Sequence, residues 1–224
     1  MIGQIAANFP STLYNQVPKG CFIFGAGGVA GWRNICGGPN GGAALLTQLG
    51  APTAVKDEFL AWYERVAMPS DAAYDDYKTG TWTPGGSATG GWGSASDQLL
   101  APRADTPQAI PKTLLCHASH GRWLEAAGGV EGAWVASFPG ADQAAKVGAA
   151  GGDRCSKLVY DCVFKLATLI NDWKAGTLPS GALDPSVATC LTAGCHGSQY
   201  DPLDPENCAP EVAGKMKCNE SCHQ

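Results

Sequence analysis

The sequence predicts a mainly α fold in two parts: a helical domain over residues 1–178 and a loop-rich segment over 179–224. Two observations carry this. Between 153 and 173, Cys155, Leu158, Val159, Cys162, Leu166, Leu169, Ile170 and Trp173 recur at i, i+3, i+4, i+7, the spacing of one apolar helix face. Beyond that helix, residues 174–189 form a Pro/Gly/Ser linker and 197–216 read as loop, as expected of a tail organised by a cofactor and not by a side-chain core.

Taken in order, residues 1–20 are an irregular lead-in carrying Pro10 and Pro18. Gly25-Ala26-Gly27-Gly28-Val29-Ala30 imitates a dinucleotide-binding turn, but Trp32 to Pro39 interrupts it and the first acids are Asp57 and Glu58. The fingerprint needs a helix opened by the glycines and an acid about 20 residues on, so the glycines read as sites of close backbone packing near Cys21 and Cys36. A short buried helix is expected over Gly41–Leu49, ended by Gly50. Thr53 is expected to cap a second over Ala54–Ala67, with Val55, Phe59, Trp62, Tyr63 and Val66 inward and Pro69 as its stop. Ser70–Tyr77 suggests another turn or two, and residues 79–96, with Trp82 and Trp92, a surface loop. Pro111 suits a helix first turn, predicting a helix over Lys112–Ala127 that ends at Gly128-Gly129. In the last helix Asp153 is the expected N-cap, Gly176 the residue past the end and Pro179 the stop. Cys155 then falls near a helix N-terminus, where a thiol ionises more easily and ligates a metal better. Cys162, two turns on and about 10 Å away, reads as a packed thiol.

The chain has 224 residues, enough for one or two domains, and 45% hydrophobic content, enough for a core. A net charge of −5 argues against nucleic acid as a partner. No apolar run approaches the roughly 18 residues of a membrane span. Met1-Ile-Gly-Gln lacks the basic start and apolar core of a signal peptide.

The chemistry concentrates in the tail. Cys190-Leu-Thr-Ala-Gly-Cys195-His196 and Cys218-Asn-Glu-Ser-Cys222-His223 repeat one pattern, two thiols with a histidine directly after the second. A c-type haem is attached through Cys-x-x-Cys-His, the thiols adding to the vinyl groups and the histidine ligating iron. Gaps of four and three residues serve if the extra residues bulge outward. The same residues could bind zinc, although adjacent Cys-His pairs are awkward for one tetrahedral ion. Disulfides Cys190–Cys195 and Cys218–Cys222 in an exported protein are a further alternative. Of the ten cysteines, Cys21, Cys36, Cys116, Cys155, Cys162 and Cys208 are left for a second metal centre or for disulfides. The four histidines are His117, His120, His196 and His223, the number that two bis-histidine haems would consume. His117 and His120 would be the distal pair, about 5–6 Å apart on one helix. Covalent haem attachment follows export, so the chain is expected to be a mature form with its leader removed, in the periplasm or an equivalent compartment.

Set in order, these stretches resemble the split-Soret cytochrome c family. The matching segments are Cys36-Gly-Gly-Pro-Asn-Gly-Gly-Ala-Ala, Leu115-Cys116-His117-Ala-Ser with Trp123 after it, Arg154-Cys155-Ser-Lys-Leu, and the two tail motifs. The resemblance implies a helical redox domain followed by a dihaem segment, two haem c groups per chain, and an iron–sulfur centre. The wider group's cysteine layout is filled here by Cys21, Cys36, Cys116 and Cys155, a set suited to [2Fe–2S]. It also implies a homodimer with stacked haems, in which a distal histidine can come from the partner chain. The family's haem motifs have the two-residue gap, and His120 stands where its pattern has no histidine.

The expected function is electron transfer with redox partner proteins, the haem irons held between histidines. The competing reading is a haem-dependent reductase of a small nitrogen or sulfur compound, or of peroxide, at an open haem site. A zinc- or disulfide-stabilised binding module would be colourless.

Overall fold

The computed structural model describes residues 28–29, 32–81 and 103–178. Among them it is helical, as the sequence predicts, with two isolated antiparallel bridges, Ile35 with Leu115 and Met68 with Ala109. The helices are α1 Gly37–Gln48, α2 Thr53–Arg65, α3 Ala72–Thr79, α4 Cys116–Ala126, α5 Ala133–Ala136 and α6 Gln143–Ala175. The tail over 179–224, and with it both haem motifs, lies outside the described residues, as do Cys21, Trp82 and Trp92.

Several boundaries differ from the sequence reading for identifiable reasons. Helix α1 begins four residues before Gly41, because Pro39 falls in its first turn, where a missing N–H costs nothing. Its glycines admit close neighbours: a Cβ on Gly42 would lie 2.2 Å from Phe59 Cε1, and one on Gly38 would lie 2.9 Å from Cys162 Sγ. Thr53 is the first helical residue of α2, with Pro52 at the cap. Lys112 adopts φ +59° and the chain bends before an extended Leu115, so α4 starts at Cys116 and Pro111 is not in its first turn.

The largest difference is α6, which spans 33 residues and begins ten before Asp153. At 1.5 Å per residue it is about 50 Å long. Asp142 is the N-cap, its carboxylate accepting from the Ala145 N–H at 2.8 Å, and Gly176 closes the helix at φ +69°. Asp153 is therefore not a cap, and Cys155 lies about three turns inside the helix, so the argument from a helix N-terminus does not apply to it. The apolar stripe is also narrower than its period suggests. Leu158, Cys162, Leu166 and Leu169 are buried, whereas Cys155 and Val159 are exposed.

Helices α1, α2, α3 and α5 pack against α6. One core joins Leu46, Val55, Phe59 and Tyr63 to Leu158, Cys162 and Leu166. A second gathers Trp123, Val135, Phe138 and Ala150, with Trp123 edge-on to Trp134 at 5.6 Å and Trp134 tilted on Phe138 at 4.6 Å. No helix among the described residues is long and apolar enough to cross a membrane.

Candidate metal centre

The Ile35–Leu115 bridge decides where the first two cysteines meet. The Cys36 N–H donates to the Leu114 carbonyl and the Cys116 N–H to the Asn34 carbonyl. This sets Cys36, the N-cap of α1, beside Cys116, the first residue of α4. Both thiols are buried, and they hydrogen-bond to each other. The contact splits their ionisation. The hydrogen bond from Cys116, followed by those from Tyr63 and the Gly38 backbone, brings Cys36 down to about 6 against burial. Cys116 is pushed well up by the same contact, by burial and by the charges of Cys36 and Cys155.

From α6, Arg154 reaches this pair. Only 1% exposed, it donates from Nη2 to Ser119 Oγ at 2.6 Å and approaches Cys155 Sγ with Nη1 at 3.9 Å. The Tyr63 hydroxyl lies 3.2 Å from Ser119 Oγ and also hydrogen-bonds Cys36. A polar path thus runs from Arg154 through Ser119 and Tyr63 to Cys36. Burial presses Arg154 toward the neutral form, but the Cys155 thiol, the Tyr63 hydroxyl and the Cys36 thiol together hold it above its ordinary value. The guanidinium Nε is buried without a hydrogen-bond partner.

Cys36 and Cys155, two of the four cysteines implied as iron–sulfur ligands, therefore neighbour the buried Arg154, and the third, Cys116, lies against Cys36 and feels the charge of Arg33. Among the described residues they do not converge tightly enough to hold a single metal ion. A two-iron centre divides four thiolates between two irons, so each iron needs one close pair, and Cys36 beside Cys116 is one such pair. Thiol donors beside a cation that has no carboxylate partner among the described residues are the chemistry that such a centre takes. Cys162 is packed between Gly38 and Leu158 in the core, and burial pushes its thiol well up, as a packed thiol requires.

The two histidines of α4 differ. His117 is exposed, with Nδ1 3.0 Å from the Arg33 carbonyl oxygen. If Nδ1 carries the proton, Nε2 is left as the free lone pair, the second-sphere arrangement usual for a metal-ligating imidazole. His120 turns toward α6, tilted on Trp123 at 5.2 Å and occupying the space that Gly151 leaves; a Cβ there would lie 2.8 Å from its Cε1. Its Nδ1 is buried without a partner, and burial, with the charges of Arg154 and Arg33, lowers its pKa to about 4. Shared spacing on the helix did not give these rings shared surroundings. Sequence reasoning missed Arg154, Ser119 and Tyr63 as parts of the site, since nothing in their spacing separates a buried polar residue from a surface one.

No family model matches the chain. It is 26% identical over 220 residues to the split-Soret cytochrome c of Desulfovibrio desulfuricans, a match covering 94% of this chain and 61% of the relative. The chain thus spans about 61% of the length of the curated relative it matches. A solved structure of the split-Soret cytochrome c of Desulfovibrio desulfuricans, described for its novel iron centre, has a similar fold. The TM-score is 0.57 and the identity 22%, over 87% of this chain and 69% of that one. The first finding bears out the resemblance and the second the helical fold.

Proposed function

Taking the chain as a relative of the split-Soret cytochromes c, we propose that it is an electron-transfer protein with two covalent haem c groups and an iron–sulfur centre. The observation that carries this is the doubled Cys…Cys-His pattern, accompanied by the adjacent Cys36 and Cys116 and by Cys155 beside the buried Arg154. Cys190, Cys195, Cys218 and Cys222 attach the haems, and His196 and His223 ligate them proximally. His117 is the first distal candidate, because the Arg33 carbonyl orients its ring and leaves it exposed. His120 is the second. Cys36, Cys116 and Cys155 hold the iron–sulfur centre with Cys21. Such a centre, when bound, supplies one-electron storage. The protein's own residues contribute thiolate donors, a buried cation and the hydrogen bonds of Tyr63 and Ser119. In this reading the chain forms a homodimer in an exported compartment, a distal imidazole crosses the interface, and partner proteins supply and remove electrons.

The inward set of His120 favours one alternative. If it stays against Gly151, one haem has another sixth ligand or an open site, and reduction of a small nitrogen or sulfur compound or of peroxide becomes available.

Intact mass of the denatured chain tests the first claim: two haems added are expected, and a bare-chain mass overturns it. Iron in excess of haem, with acid-labile sulfide, is expected of anaerobically prepared protein. Electron paramagnetic resonance should show two low-spin haems, with loss of one in His117→Ala together with a change in oligomeric size. A high-spin signal in the wild type would move the balance to the reductase.

A further inference from the structure

We infer that Arg154 is the counter-cation of the thiolate-held centre at Cys36, Cys116 and Cys155, offsetting its negative charge and setting its reduction potential. The inference rests on the iron–sulfur reading above and deepens it. A cation removed from water needs an anion or strong acceptors nearby, and buried arginines are almost always paired. Among the described residues no carboxylate pairs with Arg154. Its contacts are one serine hydroxyl, the edge of a thiol and, 6.0 Å away, the Trp123 ring, with Nε unpartnered. None of these balances a full positive charge.

The thiols do so once ionised. Four thiolates and two sulfides outweigh two ferric irons, so such a centre is an anion, and one-electron reduction makes it more negative. A fixed cation beside it stabilises the reduced form more than the oxidised form and raises the potential; net charge and hydrogen bonding at the sulfurs are the levers that tune these centres. Ser119 positions the guanidinium by accepting from Nη2, and Trp123 lies on its other side. Arg154 is a positioning and charge-setting residue, not a ligand.

The test uses full-length protein prepared anaerobically, titrated with dithionite and followed by paramagnetic resonance of the reduced iron–sulfur signal. Acid-labile sulfide and helical content are measured alongside. Arg154→Met is expected to keep its helical content and either lose sulfide or shift the midpoint negative by at least about 59 mV, a tenfold change for a one-electron couple. Arg154→Lys, which keeps the charge, should recover most of the shift. If the methionine variant fails to fold, Arg154→Gln, neutral and still able to donate to Ser119, asks the same question. An unmoved midpoint with wild-type sulfide in the neutral variant overturns the inference while leaving the cluster reading intact. Wild-type protein without labile sulfide overturns the cluster reading, and the inference falls with it.

Discussion

Arg154 and Lys157 stand three residues apart on α6, both almost wholly buried, and the fold treats them in opposite ways. Lys157 is fully provided for. Its ammonium pairs with Asp153 at 3.1 Å, lies 3.9 Å from Asp71, and donates to Thr106 Oγ1 and the Arg103 carbonyl. Asp71 in turn accepts from the Asp105 and Thr106 backbone, and Arg103 donates its N–H to Asp153. The ammonium is thus closed in by acceptors and anions, a network that fastens the 103–106 segment and the start of α3 to the long helix, with Asp153 Oδ2 held by charge and not by a hydrogen bond. Arg154 has no such closure. Burial of charge here thus has two purposes: one cation ties the fold together, and the other faces the thiols of Cys36 and Cys155.

The comparison breaks most visibly at Lys157. Lys157→Met leaves the Asp153 carboxylate buried without its partner, and removing one member of a buried pair costs about 3–5 kcal/mol. Denaturant unfolding should show that loss. Adding Asp153→Leu should recover a substantial part of it, because replacing both ions by apolar groups removes the orphaned charge. A loss below about 1 kcal/mol would show that the network is not closed as described.

Arg154→Met should cost less in protein stripped of iron, about 1.5–3 kcal/mol, the worth of one charge-assisted hydrogen bond to Ser119. No carboxylate among the described residues is orphaned by it, and Ser119 keeps Tyr63 as a partner. With iron and sulfide bound, the same substitution should cost more. An equal cost in both states would place Arg154 with Lys157 as a purely structural cation.

How much of this could be read from the sequence differs between the same two neighbours. Helical character, the inward Leu158, Cys162, Leu166 and Leu169, and the glycine ending at Gly176 follow from period and capping rules. The start of α6 did not, because Asp153 resembles a cap and the true cap, Asp142, precedes a run of Ala and Gly with little periodicity. Asp153, Arg154, Lys157 and Asp161 look like a solvated face; the 103–106 segment covers Asp153 and Lys157, Ser70 bonds Asp161, and Ser119 and Trp123 of α4 meet Arg154, all events of the tertiary fold. The meeting of Cys36 and Cys116 was implied by the family layout but not by spacing, since it depends on a single pair of bridged residues, Ile35 and Leu115.

Gly151→Ala probes the contact between α4 and this stretch of α6 without removing a polar group. Its Cβ would lie 2.8 Å from His120 Cε1, so the imidazole must shift, and overpacking of this kind costs about 1–3 kcal/mol. A ring already turned away from α6, as a haem-ligating His120 would be, leaves room for the methyl, and the substitution then stabilises by about 0.5–1 kcal/mol through helix propensity. The sign of the change in thermal unfolding therefore reports which side of the helix the ring occupies.

The smallest effect is the pH dependence that the same imidazole imparts. Unfolded, His120 titrates near 6.5. Folded against Gly151 and Trp123, with Arg154 and Arg33 nearby, it titrates at about 4. The folded value is depressed, so between these two pH values the unfolded chain binds the extra proton and stability falls as the pH drops through the window. Above about 6.5 nothing is lost. Asp153 and Asp161 are pushed up mainly by burial and act in the opposite sense at lower pH, so the wild-type curve alone does not isolate the histidine. The difference between wild type and His120→Asn does, because both chains share those carboxylates. The wild type's advantage in denaturant midpoint should shrink as the pH is lowered from 7 toward 4. An imidazole bound to haem iron has no lone pair left to protonate in this range, and then the difference between the two chains stays level across the window while the low-spin haem signal is lost in the variant.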